Sequence, residues 1–71
     1  MVYVFNACGR PVCVYRNREE AVRALESFCN TSNKEAPSSF FYFGWVKDSD
    51  TKWHSKDYRN YATVEAVLLR D

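Results

Sequence analysis

The sequence predicts an α+β fold in which one helix packs on an antiparallel sheet of four to five strands, in the order β-β-α-β-β-β. Three features support this fold. Two runs of β-branched and aromatic residues lie near the N-terminus, one apolar stripe follows at helical spacing, and the second half is rich in aromatic residues arranged in short segments typical of strands. A length of 71 residues is that of one small domain, so residues 1–71 are assigned to a single unit.

The first two runs predict a β-hairpin. Val2 to Phe5 and Val12 to Tyr15 are rich in β-branched and aromatic residues. Asn6 to Pro11 between them contains a glycine that tolerates positive φ and a proline that lacks an amide donor. Because side chains alternate along a strand, the two valines of the first run share one face, and Tyr3 and Phe5 share the other.

The next segment predicts an amphipathic helix from Asn17 to Asn30. Asn17 is placed as an N-cap whose side chain accepts from the amide of Glu20, and Glu20 reaches back as in a capping box. Acidic residues in the first turn also favour a helix, since they lie at the positive end of its dipole. The apolar stripe consists of Ala21, Val22, Leu25, Phe28 and Cys29.

The second half predicts another hairpin after a solvated loop. The polar, proline-containing stretch Asn30 to Ser39 is interpreted as the loop, and the aromatic run Phe40 to Val46 as a strand. Lys47 to Lys52 is rich in Asp and Ser and predicts a turn. The chain then returns along a short strand that contains Trp53 and His54.

The last segment leaves two interpretations open. Ser55 to Asn60 is a polar connection, and Tyr61 to Leu69 closes the chain. Alternating small and apolar residues favour a strand, whereas Thr63 could cap a short helix. The strand is preferred because the segment is short for a stable helix and contains β-branched residues.

Composition and charge argue against several classes of protein. Ten Lys and Arg residues against nine Asp and Glu residues give a formal net charge of +1, without the basic excess of a dedicated nucleic-acid binder or the acidic excess of a nucleic-acid mimic. No apolar run approaches the roughly 20 residues of a membrane span, and no secretion signal is recognisable. Three cysteines lack the spacing of a disulfide framework, so a soluble cytoplasmic protein is expected.

Few residues in the sequence could carry chemistry. His54 is the single histidine, and neither it nor Cys8, Cys13 or Cys29 lies in a catalytic motif. The same residues have the ligand types of a zinc site, but only two of them are close in sequence, whereas structural sites usually supply ligands in close pairs. The sequence therefore predicts a protein that is not an enzyme and that holds neither a metal nor a cofactor.

The aromatic and basic second half is the main functional signal. One helix covers one side of a sheet, so aromatic side chains on the other side stay exposed and favour an interaction surface with a basic rim. The residues predicted to bind a partner are Phe40, Tyr42, Trp45, Trp53 and Tyr58, with Lys47, Lys52, Lys56 and Arg59.

Four interpretations of these residues stay open. The preferred one is docking on a protein partner without catalysis. The same aromatic and basic face fits single-stranded nucleic acid, whose bases stack on rings. It also fits a structural or regulatory homodimer. In the fourth interpretation both faces of the sheet are core, covered by the last strand and the loops. No membrane partner is expected.

The sequence starts at Met1, and the expected layout runs from a hairpin (Val2 to Tyr15) through a helix (Asn17 to Asn30) to an aromatic hairpin, with no tail or linker expected. In this layout it resembles very small bacteriophage accessory proteins that bind and redirect or inhibit a host or defence enzyme. The resemblance includes no diagnostic motif, so it assigns no residue a role. It implies a stoichiometric protein-binding inhibitor or modulator, often dimeric.

Overall fold

The computed structural model describes residues 1–35 and 44–68 and confirms the α+β fold. The elements in chain order are β1 (Val2–Ala7), β2 (Arg10–Tyr15), α1 (Arg18–Glu35), β3 (Val46–Ser49), β4 (Lys52–His54) and β5 (Tyr61–Val67). The strands form one antiparallel sheet of five, in the order β2-β1-β5-β4-β3. The predicted element order is confirmed, and the last segment is a strand.

The first hairpin closes with a two-residue turn at Cys8 and Gly9. Both residues have positive φ, 54° and 78°, as in the type I′ turn whose twist matches that of paired strands. Ala7 pairs with Arg10 across the turn, so the predicted connection from Asn6 to Pro11 shortens to the two turn residues. Glycine adopts this conformation freely, whereas Cys8 takes one that L-residues usually avoid.

The N-terminus of α1 is capped by asparagine, as predicted, but through a different amide. Oδ1 of Asn17 accepts from the amide of Glu19 at 2.8 Å, and not from Glu20. An N-cap side chain bonds to the second or the third helical amide, and here the second is within reach. The main-chain carbonyl of Asn17 accepts from the amide of Ala21 at 3.2 Å, which completes the first turn.

The core lies between α1 and one side of the sheet. Ala21, Leu25 and Cys29 are fully buried at four-residue spacing along the helix. The buried residues that face them are Phe5, Ala7, Trp45, Trp53, Ala62 and Val64. The ring of Phe28 closes one side of this cluster, with its centroid 5.5 Å from that of Phe5 and 5.9 Å from that of Trp45.

The helix continues to Glu35, so the prediction that it ends near Asn30 and that a loop begins there is wrong. The added turns dock on the rest of the protein through Asn33, whose side chain binds both main-chain groups of Trp45 at 2.8 and 2.9 Å. These tertiary hydrogen bonds outweigh the weak helix propensity of Asn, Thr and Ser. No helix in the described part of the chain has the length and hydrophobicity needed to cross a membrane.

Only the end of the aromatic strand predicted from Phe40 to Val46 lies in the described part of the chain, and there the prediction is wrong for Gly44 and Trp45. Residues 40–43 lie outside the described part, Gly44 and Trp45 are not in a strand, and β3 begins only at Val46. Gly44 has φ +65°, which interrupts an extended chain. Strand β3 therefore occupies half of the turn predicted from Lys47 to Lys52, and the turn is reduced to residues 50 and 51.

Candidate functional site

The pairing register separates two faces of the sheet. Paired residues of antiparallel strands share a face, and successive residues alternate between faces. Phe5 pairs with Val64, and Trp53 pairs with Ala62; all four are buried on the side of α1. The opposite side, here termed the open face, carries Val2, Val4, Asn6, Pro11, Val12, Val14, Val46, Lys52, His54, Tyr61, Thr63, Glu65 and Val67.

One end of the open face is apolar. Val12 and Val14 on β2 are 56% and 57% exposed, and Val67 on β5 is 41% exposed. Val14 pairs with Val4, and Val67 pairs with Val2, so the five valines adjoin across three neighbouring strands. These five residues are termed the valine patch. A contiguous exposed apolar surface of this kind usually marks an interaction site.

The middle of the open face is a shallow polar groove of about 390 Å³. Within the described residues, its lining consists of Asn6, Gly9, Tyr61, Thr63 and Glu65. Asn6 pairs with Thr63 across β1 and β5, so their amide and hydroxyl groups lie side by side. Glu65 pairs with Val4, and the groove therefore adjoins the valine patch.

The far end of the open face holds a buried imidazole. Nδ1 of His54 lies 2.8 Å from Oδ2 of Asp48, the residue at the irregularity of β3. The ring of Tyr58 stacks on His54 with centroids 4.2 Å apart and planes 11° from parallel. A carboxylate beside an imidazole is a common part of general-base sites. Here His54 is only 6% exposed, and the pair connects β3 to β4, while the stacked Tyr58 ring connects β4 to the loop that follows it.

The loop between β4 and β5 holds Tyr58 over the imidazole. The amide of Tyr58 donates to the carbonyl of Ser55 at 3.0 Å. The Ser55 hydroxyl donates to the carboxylate of Asp57, which also accepts from the amide of Arg59 at 3.1 Å. These two hydrogen bonds, that of Ser55 first, lower the pKa of the Asp57 carboxyl. Tyr58 has φ +60°, so the loop and the stacked rings hold it in a left-handed conformation.

The thiols and the imidazole are not brought together. Cys13 lies on β2 and His54 on β4, with β1 and β5 between them, which separates them by roughly 14 Å at the usual strand spacing. Cys29 is fully buried, and burial raises the pKa of its thiol to about 12. Burial also raises the pKa of Cys8. Within residues 1–35 and 44–68, no three His, Cys, Asp or Glu side chains are grouped as metal ligands would be.

The residues predicted to bind a partner fall into three groups. Phe40 and Tyr42 lie outside the described residues. Trp45 and Trp53 are 4% and 7% exposed, so the expectation that these two rings lie on an open surface is wrong. Trp53 faces α1 because it pairs with buried Ala62. The exposed residues of the predicted set are Tyr58, Lys47, Lys52, Lys56 and Arg59.

The exposed basic residues do not form one rim. Lys52 is on the open face, with Nζ 5.0 Å from the centre of the Tyr61 ring. Lys47 pairs with Trp53 and therefore belongs to the opposite side, where its Nζ lies 3.4 Å from a carboxylate oxygen of Asp50. The stem of Lys56 covers Gly44. The basic charges of the second half are therefore divided between separate surfaces.

No protein-family model, curated protein or solved structure matches this chain. Functional inference therefore rests on the open face itself. The valine patch was not predicted as a site, although the alternation of Val12 and Val14 around Cys13 is visible in the sequence. The missing information was that β2 lies at an edge and that α1 packs on the other side.

Proposed function

We propose that the protein is a small non-enzymatic binding module that docks on a protein partner through the open face of its sheet. The observation that carries the proposal is the valine patch, where Val12 and Val14 are each more than half exposed on a strand that leaves its outer edge unpaired among the described strands. Apolar surface at an open edge offers a partner both side-chain burial and free main-chain groups.

The partner that fits this surface presents an extended apolar segment along β2. Strand addition would use the unpaired amides and carbonyls of β2, while side chains of the partner cover Val12 and Val14. The resemblance to bacteriophage accessory proteins favours a larger enzyme as the partner, with this chain as its inhibitor or modulator. A cytoplasmic location belongs to the same proposal.

A homodimer is the second candidate, and the same edge strand supports it. Two copies can pair their β2 strands in an antiparallel arrangement about a twofold axis. Single-stranded nucleic acid has less support. Trp45 and Trp53 are not available for stacking, and the Glu65 carboxylate at the middle of the open face repels phosphate.

The experiment compares partner recovery by the wild type and by two charge variants. Val14→Lys places a charge on the valine patch, and Ser27→Lys places the same charge on the exposed surface of α1. Each tagged protein is incubated with extract of the cells in which it is naturally produced, which for a phage-encoded protein are the host cells, and bound proteins are quantified by mass spectrometry. Thermal melting checks that both variants fold.

The proposal expects one or a few proteins that the wild type and Ser27→Lys recover equally and that Val14→Lys recovers at least about tenfold less, as for a central interface residue. Equal recovery by all three forms contradicts it. Light scattering at high concentration distinguishes the homodimer from the partner-binding module. If the wild type is a dimer, Val14→Lys is a monomer and no partner is recovered, the protein is a homodimer.

A further inference from the structure

The polar groove of the open face has the composition of a site for a cation. Its described lining has one formal charge, the carboxylate of Glu65, and two further groups with acceptor oxygens, the amide of Asn6 and the hydroxyl of Thr63. Tyr61 adds an aromatic ring, which attracts cations through its face. An anion in the groove would be repelled by the carboxylate. An apolar group would remove the carboxylate from water without providing a hydrogen bond or a counter-charge.

The charge of Glu65 is not balanced by an ion pair within the described residues. The cation–carboxylate contacts found there involve Glu19, Asp48 and Asp50. Glu65 on β5 pairs with Val4 on β1, and Val4 also pairs with Val14 on β2. Glu65 is therefore an acidic residue at the border of an apolar surface, which is where a charged group of a partner can be positioned.

Tyr61 already interacts with one cation from the neighbouring strand. Lys52 Nζ lies 5.0 Å from the ring centre, within the range of a cation–π contact. Lys52 belongs to β4, whereas the groove opens on the other side of β5, towards Asn6 and the turn residue Gly9. The intrinsic lysine thus leaves the space beside Glu65 unfilled.

We propose that this groove receives an arginine side chain of the protein partner, adjacent to the apolar residues that cover the valine patch. The inference rests on the proposed function and adds the chemistry of the partner. A guanidinium group is planar, stacks on an aromatic ring, and donates two parallel hydrogen bonds to a carboxylate. It therefore fits Tyr61 and Glu65 better than a compact ammonium group does. The amide oxygen of Asn6 and the hydroxyl of Thr63 accept its remaining N–H groups.

The test uses N-acetyl-arginine methylamide as the probe and its uncharged citrulline analogue as the control. Both are titrated into the isotope-labelled protein to about 50 mM, because a single side chain binds in the millimolar range. The arginine probe is expected to shift the amide resonances of Asn6, Thr63 and Glu65. Glu65→Gln should weaken this binding about two- to fivefold, as expected for loss of an exposed charge pair. Glu26→Gln, a matched change at an exposed position of α1, should leave it unchanged.

Equal shifts with the citrulline analogue, no shifts at the groove, or the same affinity in Glu65→Gln would each overturn the inference. Partner recovery separates this failure from that of the proposed function. Loss of recovery in Val14→Lys together with full recovery in Glu65→Gln removes only the arginine site. Full recovery in both variants removes the docking surface as well.

Discussion

Asn33 binds both main-chain groups of Trp45: its Nδ2 donates to the carbonyl at 2.9 Å, and its Oδ1 accepts from the amide at 2.8 Å. One side chain in the last turns of α1 therefore positions the entry to β3. Held in this position, Trp45 is 4% exposed, and its indole ring packs against the ring of Phe28. The contact links the C-terminal part of the helix to the segment that enters β3.

Replacing Asn33 with alanine should lower the free energy of unfolding by about 1–3 kcal/mol. Two hydrogen bonds to partly buried main-chain groups are lost, and no solvent molecule can take both positions with the same geometry. Urea unfolding measures the change. Asn30→Ala, at an exposed position of the same helix, is the control and should cost less than about 1 kcal/mol. Helix propensity alone favours alanine over asparagine at both positions, so an Asn33→Ala protein no less stable than Asn30→Ala would rule out the role assigned to the two hydrogen bonds.

Gly44→Ala should destabilise the protein by about 1–2 kcal/mol, the cost of a left-handed conformation for a residue with a Cβ atom. Gly44 has φ +65°, and an added Cβ would lie 2.8 Å from Cδ of Lys56. The long lysine side chain can move aside, so most of the cost should come from the backbone. The same substitution in a Lys56→Ala background checks this: a cost that disappears there would assign the effect to crowding.

Cys8→Asn should stabilise the protein by about 1 kcal/mol. Cys8 occupies the first central position of a type I′ turn with φ 54°, a conformation that asparagine adopts more readily than cysteine. Its amide bond to the carbonyl of Tyr61, 2.9 Å long, uses main-chain atoms and is retained. Thermal unfolding measures the gain. Cys13→Ser, at an exposed strand position, is the control, and a stability gain of equal size there would refute the turn argument.

The three thiols should differ sharply in reactivity. Burial raises the pKa of Cys29 to about 12 and excludes reagents from it, whereas Cys8 and Cys13 are exposed. At pH 8, on the order of one Cys29 thiol in ten thousand is ionised even when a reagent reaches it. Iodoacetamide should therefore add twice to the native protein, and a third time only after addition of denaturant. Rapid triple labelling under native conditions would mean that the helix opens readily.

The Asp57 carboxyl should titrate below its ordinary range, because the Ser55 hydroxyl donates to it in the folded protein. A pKa that is lower in the folded than in the unfolded chain stabilises the protein above the unfolded value, near 4, and this contribution is lost as the pH falls through the folded value. Carboxyl resonances followed by NMR give the midpoint. Ser55→Ala should move it upward, and an unchanged midpoint would exclude the hydroxyl as the cause.

The hairpin, the helix and the element order could be predicted because local pattern determines them. Gly9 marks the first turn, and the spacing of Leu25 and Cys29 defines a buried helical stripe. The length of α1 and the start of β3 could not be predicted in this way. Both depend on Asn33 binding Trp45, a contact between residues twelve positions apart that no local pattern encodes.

The candidate site was less predictable than the fold. Counting rings indicated an exposed aromatic surface, but exposure depends on which face α1 covers, and pairing with Ala62 places Trp53 on the covered side. Trp45 lies before the first residue of β3, so strand alternation does not apply to it. The exposed valines come from the first hairpin, where apolar alternation resembles that of any half-buried strand.

The two margins of the described sheet differ in their capacity to accept another chain. β3 is four residues long, is interrupted at Asp48 and carries charged side chains, which discourages pairing. β2 also contains a proline and a register irregularity, but it is six residues long, and Val12 and Val14 on it are exposed. Among the described strands, addition of another strand to the sheet is therefore favoured at β2 only. When two molecules pair along β2, the edge strand of each becomes covered by the other. Even in a crowded solution such assembly therefore stops at a closed dimer and does not propagate into fibres.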